Sequence, residues 1–139
     1  MRSYLIVANQ TLTSESLREA ITARLADGPV QAYVVVPMAA GSRLHNWDEG
    51  PARSTAQERL DDMLERLREM GVDADGEVGD RDPVMAVRDA LRRREVDEVI
   101  VSTLPRGVSR WLGEDVPSRL RDSVRVPVTV VTQERPAGS

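Results

Sequence analysis

The sequence predicts an α/β protein, a three-layer α/β/α sandwich on a five-stranded parallel sheet. Three observations carry that expectation. Short apolar runs such as Tyr4-Leu5-Ile6-Val7-Ala8 are continuous rather than alternating, the pattern of strands covered on both faces. Between the runs lie amphipathic stretches with recognisable caps and stops. The order β-α-β-α-β-α-β-α-β then requires crossovers, which are nearly always right-handed and join parallel strands.

The first strand is Tyr4 to Ala8, followed by a hydroxyl-rich turn. Thr13 or Ser14 can cap the next helix, whose buried face is Leu17, Ala20, Ile21 and Leu25. Gly28-Pro29 stops it, because glycine tolerates a left-handed terminus and proline cannot continue a helix. Val30 to Val36 is a second buried strand, and 37 to 51 reads as a surface loop with Gly41, Asn46 and Gly50. A long helix follows, with Ala56, Leu60, Met63, Leu64, Leu67 and Met70 as its stripe. Ser54 and Gln57 suit a capping box, Asp62 and Arg66 suit an ion pair on the wet side, and Gly71 suits the stop.

Val72 to Val78 alternates apolar and acidic residues, as an edge strand with one wet face would. Asp82-Pro83 caps and opens a third helix with Val84, Val87 and Leu91 inward. Arg92-Arg93-Arg94 ends that helix, where solvated cations offset the negative end of its dipole. Glu98 to Ser102 is the fourth strand, Asp115 caps a helix running through Leu120, and Val124 to Val131 is the fifth strand. The chain thus reads as one domain over 1–132 with a flexible polar tail over 133–139.

Composition narrows the chemistry. With 139 residues and 40% hydrophobic content, one domain can bury a sufficient core. Charged residues are 30% of the chain yet the net charge is only −4, so the signs are interspersed, and neither nucleic acid nor an anionic membrane is an expected partner. Every basic residue is arginine, which removes Schiff-base chemistry and the lysine of a phosphate-binding P-loop. Cysteine is absent, excluding disulfides, thiol catalysis and thiolate metal sites. A single histidine, His45, offers neither a readable acid–base partner nor metal-ligand spacing, so no metal site is expected. No apolar run approaches the roughly 20 residues that span a bilayer, and no signal-peptide pattern opens the chain, so a cytoplasmic location is expected.

In such a sheet the first and fourth strands are natural neighbours of the switch point, and ligands bind outside the carboxyl ends of strands there. The candidate site is therefore the crevice between Asn9 to Thr13 and Ser102 to Arg110. Asn9, Thr11, Ser102, Thr103 and Ser109 supply hydrogen-bonding groups, Arg106 and Arg110 supply planar cationic forks, and Gly107 allows close backbone approach. Those groups suit a phosphorylated ligand. The same hydroxyls also cap helices and satisfy turns with no ligand present, so both readings stand. Trp111 reads as a plug under the loop, with stacking on a base as the alternative. No Gly-x-Gly-x-x-Gly follows the first strand, so a conventional dinucleotide site is not expected.

Leu5-Ile-Val-Ala, the Val99-Ile-Val-Ser-Thr corner and the ending Val126-Pro-Val-Thr-Val-Val resemble the universal stress protein family over nearly the whole chain. The resemblance implies a Rossmann-like fold of the adenine nucleotide alpha hydrolase type, strand order 3-2-1-4-5, and a homodimer through the fifth strand, Val124 to Val131. It also implies ATP or AMP as the ligand class. The ATP-binding branch of that family has an acidic residue after the first strand, then Gly-x-x-Gly and Gly-Ser or Gly-Thr after the fourth. Here Asn9 stands at the acidic position, Ser102 and Pro105 at the first two glycines, and Asp115-Val116 at the closing pair, with Gly113 available only after a shift of register. Glycines let backbone amides reach phosphate oxygens and a carboxylate at Asp115 repels them, so the resemblance implies a divergent branch with a degenerate ATP motif.

Two functions follow from these residues. The first is a dimeric, non-catalytic stress-response or regulatory module that binds a nucleotide or other phosphorylated small molecule weakly. The second is an enzyme on the same scaffold, a nucleotide hydrolase or a flavodoxin-like flavin protein, for which the Thr11-Leu-Thr-Ser turn and the pair Trp47 and Trp111 speak.

Overall fold

A computed structural model describes residues 2–8, 15–38, 50–79, 82–103 and 116–132. Five parallel strands lie in the order β3-β2-β1-β4-β5. They are β1 (Arg2–Ala8), β2 (Val30–Pro37), β3 (Asp73–Gly79), β4 (Glu98–Thr103) and β5 (Val128–Thr132). Four helices accompany them among the described residues: α1 (Glu15–Leu25), α2 (Gly50–Glu69), α3 (Pro83–Arg93) and α4 (Val116–Ser123). Fold class and strand order agree with the sequence expectation.

Side-chain alternation divides the core into two layers. Tyr4, Ile6 and Ala8 of β1 and Ala32, Val34 and Val36 of β2 face α1 and α2, where Leu17, Ile21, Leu60, Met63 and Leu67 meet them. Leu5 and Val7, with Tyr33 and Val35, face the other way, toward Val84, Val87 and Ala90 of α3 and Val116 and Leu120 of α4. Both faces of β1 are therefore apolar, which is why its sequence runs without alternation. Each fully buried Leu or Ile adds roughly 1.5–3 kcal/mol of burial free energy.

The helix ends are chemically specified. Asp82 caps α3 by accepting from the Val84 N–H at 2.9 Å, and Pro83 opens the helix. α2 closes in a Schellman motif: Gly71 has φ +90°, its N–H donates to the Arg68 carbonyl at 3.0 Å, and the Val72 N–H donates to that of Leu67 at 3.0 Å. The caps expected at Thr13 or Ser14 and at Asp115 lie outside the described residues.

Three local expectations are corrected. α2 starts at Gly50, so Ser54 lies inside it and forms no capping box with Gln57, whose side-chain amide instead donates to Asp61 Oδ1 at 2.9 Å. Asp62 and Arg66 form no ion pair among the described residues. β5 begins at Val128 rather than Val124: the Val124 N–H still bonds the Leu120 carbonyl of α4, and Pro127 has no N–H to offer a ladder. The Pro127 carbonyl accepts from the Val99 N–H at 2.9 Å and opens the β4–β5 pairing.

Candidate functional site

The site is positioned by the register of β1 and β4. Ala8 pairs with Ser102 at the carboxyl ends of these neighbouring strands, and Val7 pairs with Val101 one step below. After Ala8 the chain crosses to α1 on one face; after Thr103 it crosses to α4 on the other. That divergence is the topological switch point, where an open α/β sheet leaves a crevice. Because the strands are parallel, each helix follows the carboxyl end of one strand and leads to the amino end of the next, so helix amino termini lie toward this edge of the sheet, which favours an anionic ligand.

Of the expected site residues, Ser102 is completely buried at the end of β4, the one buried polar side chain among the described residues. Thr103 is the last residue of β4, paired in register with Thr132. Asn9, Thr11, Arg106, Gly107, Ser109 and Arg110 lie outside the described residues, as do Trp111, Gly113, Asp115 and His45. Around the crevice, Met38 is buried after β2 and its N–H donates to the Gly79 carbonyl at 3.2 Å. Arg119 Nη2 lies 3.2 Å from Asp82 Oδ2, tying α4 to the capped start of α3. Among the described residues no group of His, Cys, Asp and Glu could hold a metal ion.

Two polar clusters that sequence reasoning missed lie elsewhere. Arg24 reaches from α1 to Glu98, and the Thr129 hydroxyl of β5 donates to the same carboxylate. Burial opposes ionisation of Glu98, but the hydrogen bonds from Arg24 and Thr129 and the Arg24 charge outweigh it and hold the carboxyl below its ordinary range. At the end of α3, the Arg triplet is more than a solvated terminus. Arg93 pairs with Glu77 of β3 at 2.6 Å, Arg94 stacks 3.7 Å from the Tyr33 ring centroid, and only Arg92, 3.7 Å from Asp89, stays on its own helix. Burial and the Glu77 hydrogen bond raise the Tyr33 phenol. Burial works against Glu77, yet its bonds from Arg93 and Tyr33 and the nearby arginine charges lower it.

The signals were present but faint. Arg24 continues the Leu17–Ile21 stripe of α1, and Glu98 is a lone charge opening an apolar strand.

The chain matches no protein-family model, and no curated protein matches it in sequence. Its three-dimensional relatives are clearer. A universal stress protein from Archaeoglobus fulgidus superposes with a TM-score of 0.62 at 18% identity, covering 94% of each chain. A family member from Arabidopsis thaliana, solved with AMP bound, gives 0.60 at 16% identity over 99% of this chain and 97% of its own. One from Burkholderia pseudomallei gives 0.57 at 19% identity over 92% and 94%. The fold is that of the universal stress proteins. At these identities the likeness to the universal stress proteins is one of fold: the same topology forms from different sequences, because core positions need only apolar residues of suitable volume. No helix among the described residues is long and apolar enough to cross a membrane.

Proposed function

We propose that this protein is a non-catalytic, dimeric regulatory module of the universal stress protein type, binding a phosphorylated small molecule of the adenine nucleotide class with modest affinity at the β1–β4 crevice. The observation that carries the reading is the Ala8–Ser102 register, which sets the carboxyl ends of β1 and β4, distant in sequence, side by side at the switch point. The likeness to a structure holding AMP adds the ligand class. Thr103 and the arginines Arg106 and Arg110 are the phosphate-binding groups on this reading, with the buried Ser102 shaping the corner and Asn9, Thr11, Gly107 and Ser109 completing the crevice. A site without its flexible glycines retains the hydroxyls and cationic forks but not a close-fitting backbone cradle, which favours a monophosphate over a triphosphate.

Calorimetric titration with AMP and ATP tests this. AMP binding with a dissociation constant on the order of 10–100 μM, about −7 to −5.5 kcal/mol, is expected, weakened by Arg106→Ala. Submicromolar ATP binding lost in the same variant would show an intact triphosphate site instead, and steady phosphate release from ATP would favour an enzyme.

The dimer rests on β5, which among the described residues pairs only with β4; its Val128 and Val130, and Val126 just before it, lie partly buried beside the core. A second copy would cover that edge. Light scattering at tens of micromolar should give twice the chain mass, and a monomer there would count against the pairing.

A further inference from the structure

The sheet face that carries Val7 and Val35 under α3 turns polar toward the amino-terminal ends of the strands, at the edge opposite the crevice. Ser3, Gln31 and Asp73 form one register row across β1, β2 and β3, and Leu5, Tyr33 and Asp75 form a second. α3 stops at Arg93, and the connection from Arg94 to Val96 then flanks a cleft of about 140 Å³ whose floor includes Ser3, Gln31, Tyr33 and Asp75. The helix-facing side of a parallel sheet is ordinarily apolar, so a polar floor of this size on it calls for an explanation.

Arg94 covers the aromatic wall of the cleft. Its guanidinium carbon is 3.7 Å from the Tyr33 ring centroid, while its ion pair to Asp75 is stretched to 3.9 Å and the Asp75 side chain is 70% exposed. Stacking on the ring therefore holds this guanidinium more than the ion pair does. Tyr33 is anchored independently: its hydroxyl donates to Glu77 Oε1 at 2.7 Å, and Arg93 holds the same carboxylate. The ring would keep its place if Arg94 swung away, leaving an aromatic face beside the carboxylates of Asp73, Asp75 and Glu95.

We propose that this cleft binds a small guanidinium compound, for which Arg94 is the built-in occupant that the ligand displaces. The ring face supplies cation–π attraction and the carboxylates supply charge-assisted acceptors for a planar fork. Three carboxylates against one guanidinium make the lining anionic, so its ligand has the opposite charge to one held at the crevice.

The test is an amide NMR titration of the full chain with agmatine, using sodium chloride as the ionic control. Wild type should show saturable shifts around Tyr33 and Asp75. Arg94→Ala, which removes the internal competitor, should bind about threefold tighter or better. Asp75→Asn in that background should weaken binding about tenfold, and putrescine, which lacks the planar fork, should bind less well than agmatine. If Arg94→Ala does not fold, Arg94→Gln serves the same purpose, and Tyr33→Leu should abolish the wild-type response. Shifts that do not saturate, that match the salt control, or that are unchanged or weaker without Arg94 would overturn the proposal. An arginine-containing peptide that binds where agmatine does not would also overturn it, in favour of a protein partner.

Discussion

Arg24 grips Glu98 with two donors: Nε lies 3.1 Å from Oε1 and Nη2 lies 2.8 Å from Oε2, with both side chains about four-fifths buried. The pair joins the last turn of α1 to the first residue of β4, and Thr129 extends it to β5. Three segments far apart in sequence thus share one carboxylate.

Removing either partner should destabilise the fold. Arg24→Ala is expected to cost about 2 kcal/mol, between a surface ion pair and a fully buried one, because Glu98 keeps only the Thr129 bond in a partly desolvated place. Urea unfolding at neutral pH measures it. The pair also has a pH signature. The carboxyl is held below its ordinary value when folded, so its stabilisation is complete above the unfolded value of 4.5 and is lost as pH falls through the lower folded value. Glu98→Gln should flatten that part of the acid limb.

Two glycines should respond to alanine for different reasons. A Cβ at Gly76 would collide with the Val34 carbonyl and lie 2.7 Å from Leu60 Cδ1, so Gly76→Ala must push β3 away from β2 or α2 and should cost about 2 kcal/mol or more. Gly71 has open space around it but a φ of +90°, so Gly71→Ala should cost about 1 kcal/mol through backbone strain alone. Thermal unfolding of the two variants, ranked in that order, checks the distinction.

Asp82→Ala should remove the cap of α3 and the link to Arg119 together, for about 1–2 kcal/mol. Asp82→Asn keeps the capping oxygen and loses only the charge. It should recover most of the loss, as read from denaturation midpoints.

Tyr33→Phe should raise the Glu77 carboxyl toward its ordinary range, since one of its three hydrogen-bonding and charge supports is the phenol. Carboxyl titration by NMR reads this directly. An unchanged Glu77 would mean that Arg93 and Arg94 suffice.

The covered place of β1 and the edge place of β3 were legible because β1 is apolar on both faces while β3 alternates, whereas the full strand order came from the family resemblance. Helix ends were legible where one or two residues set them, as at the Gly71 stop of α2 and the Asp82-Pro83 start of α3. The start of β5 was not. Val124 and Val126 are as apolar as the strand itself, and only Pro127 hinted that pairing begins after it. The long-range polar pairs were hidden for a related reason: Arg24 and Glu98 are ordinary surface residue types, and no local pattern says that they meet across 74 positions. At the crevice, the Ala8–Ser102 adjacency followed from topology, whereas ligand geometry depends on residues whose order along the chain says little about their distances.

The central strand is made first and completed late. β1 can dock β2 early, but its other edge finds no partner until β4, almost a hundred residues downstream, has left the ribosome. Until then the nascent chain presents an unpaired strand edge along the apolar run Tyr4 to Ala8, the kind of surface to which chaperones bind and from which aggregates grow. Any truncation ahead of Glu98 would make that transient exposure permanent.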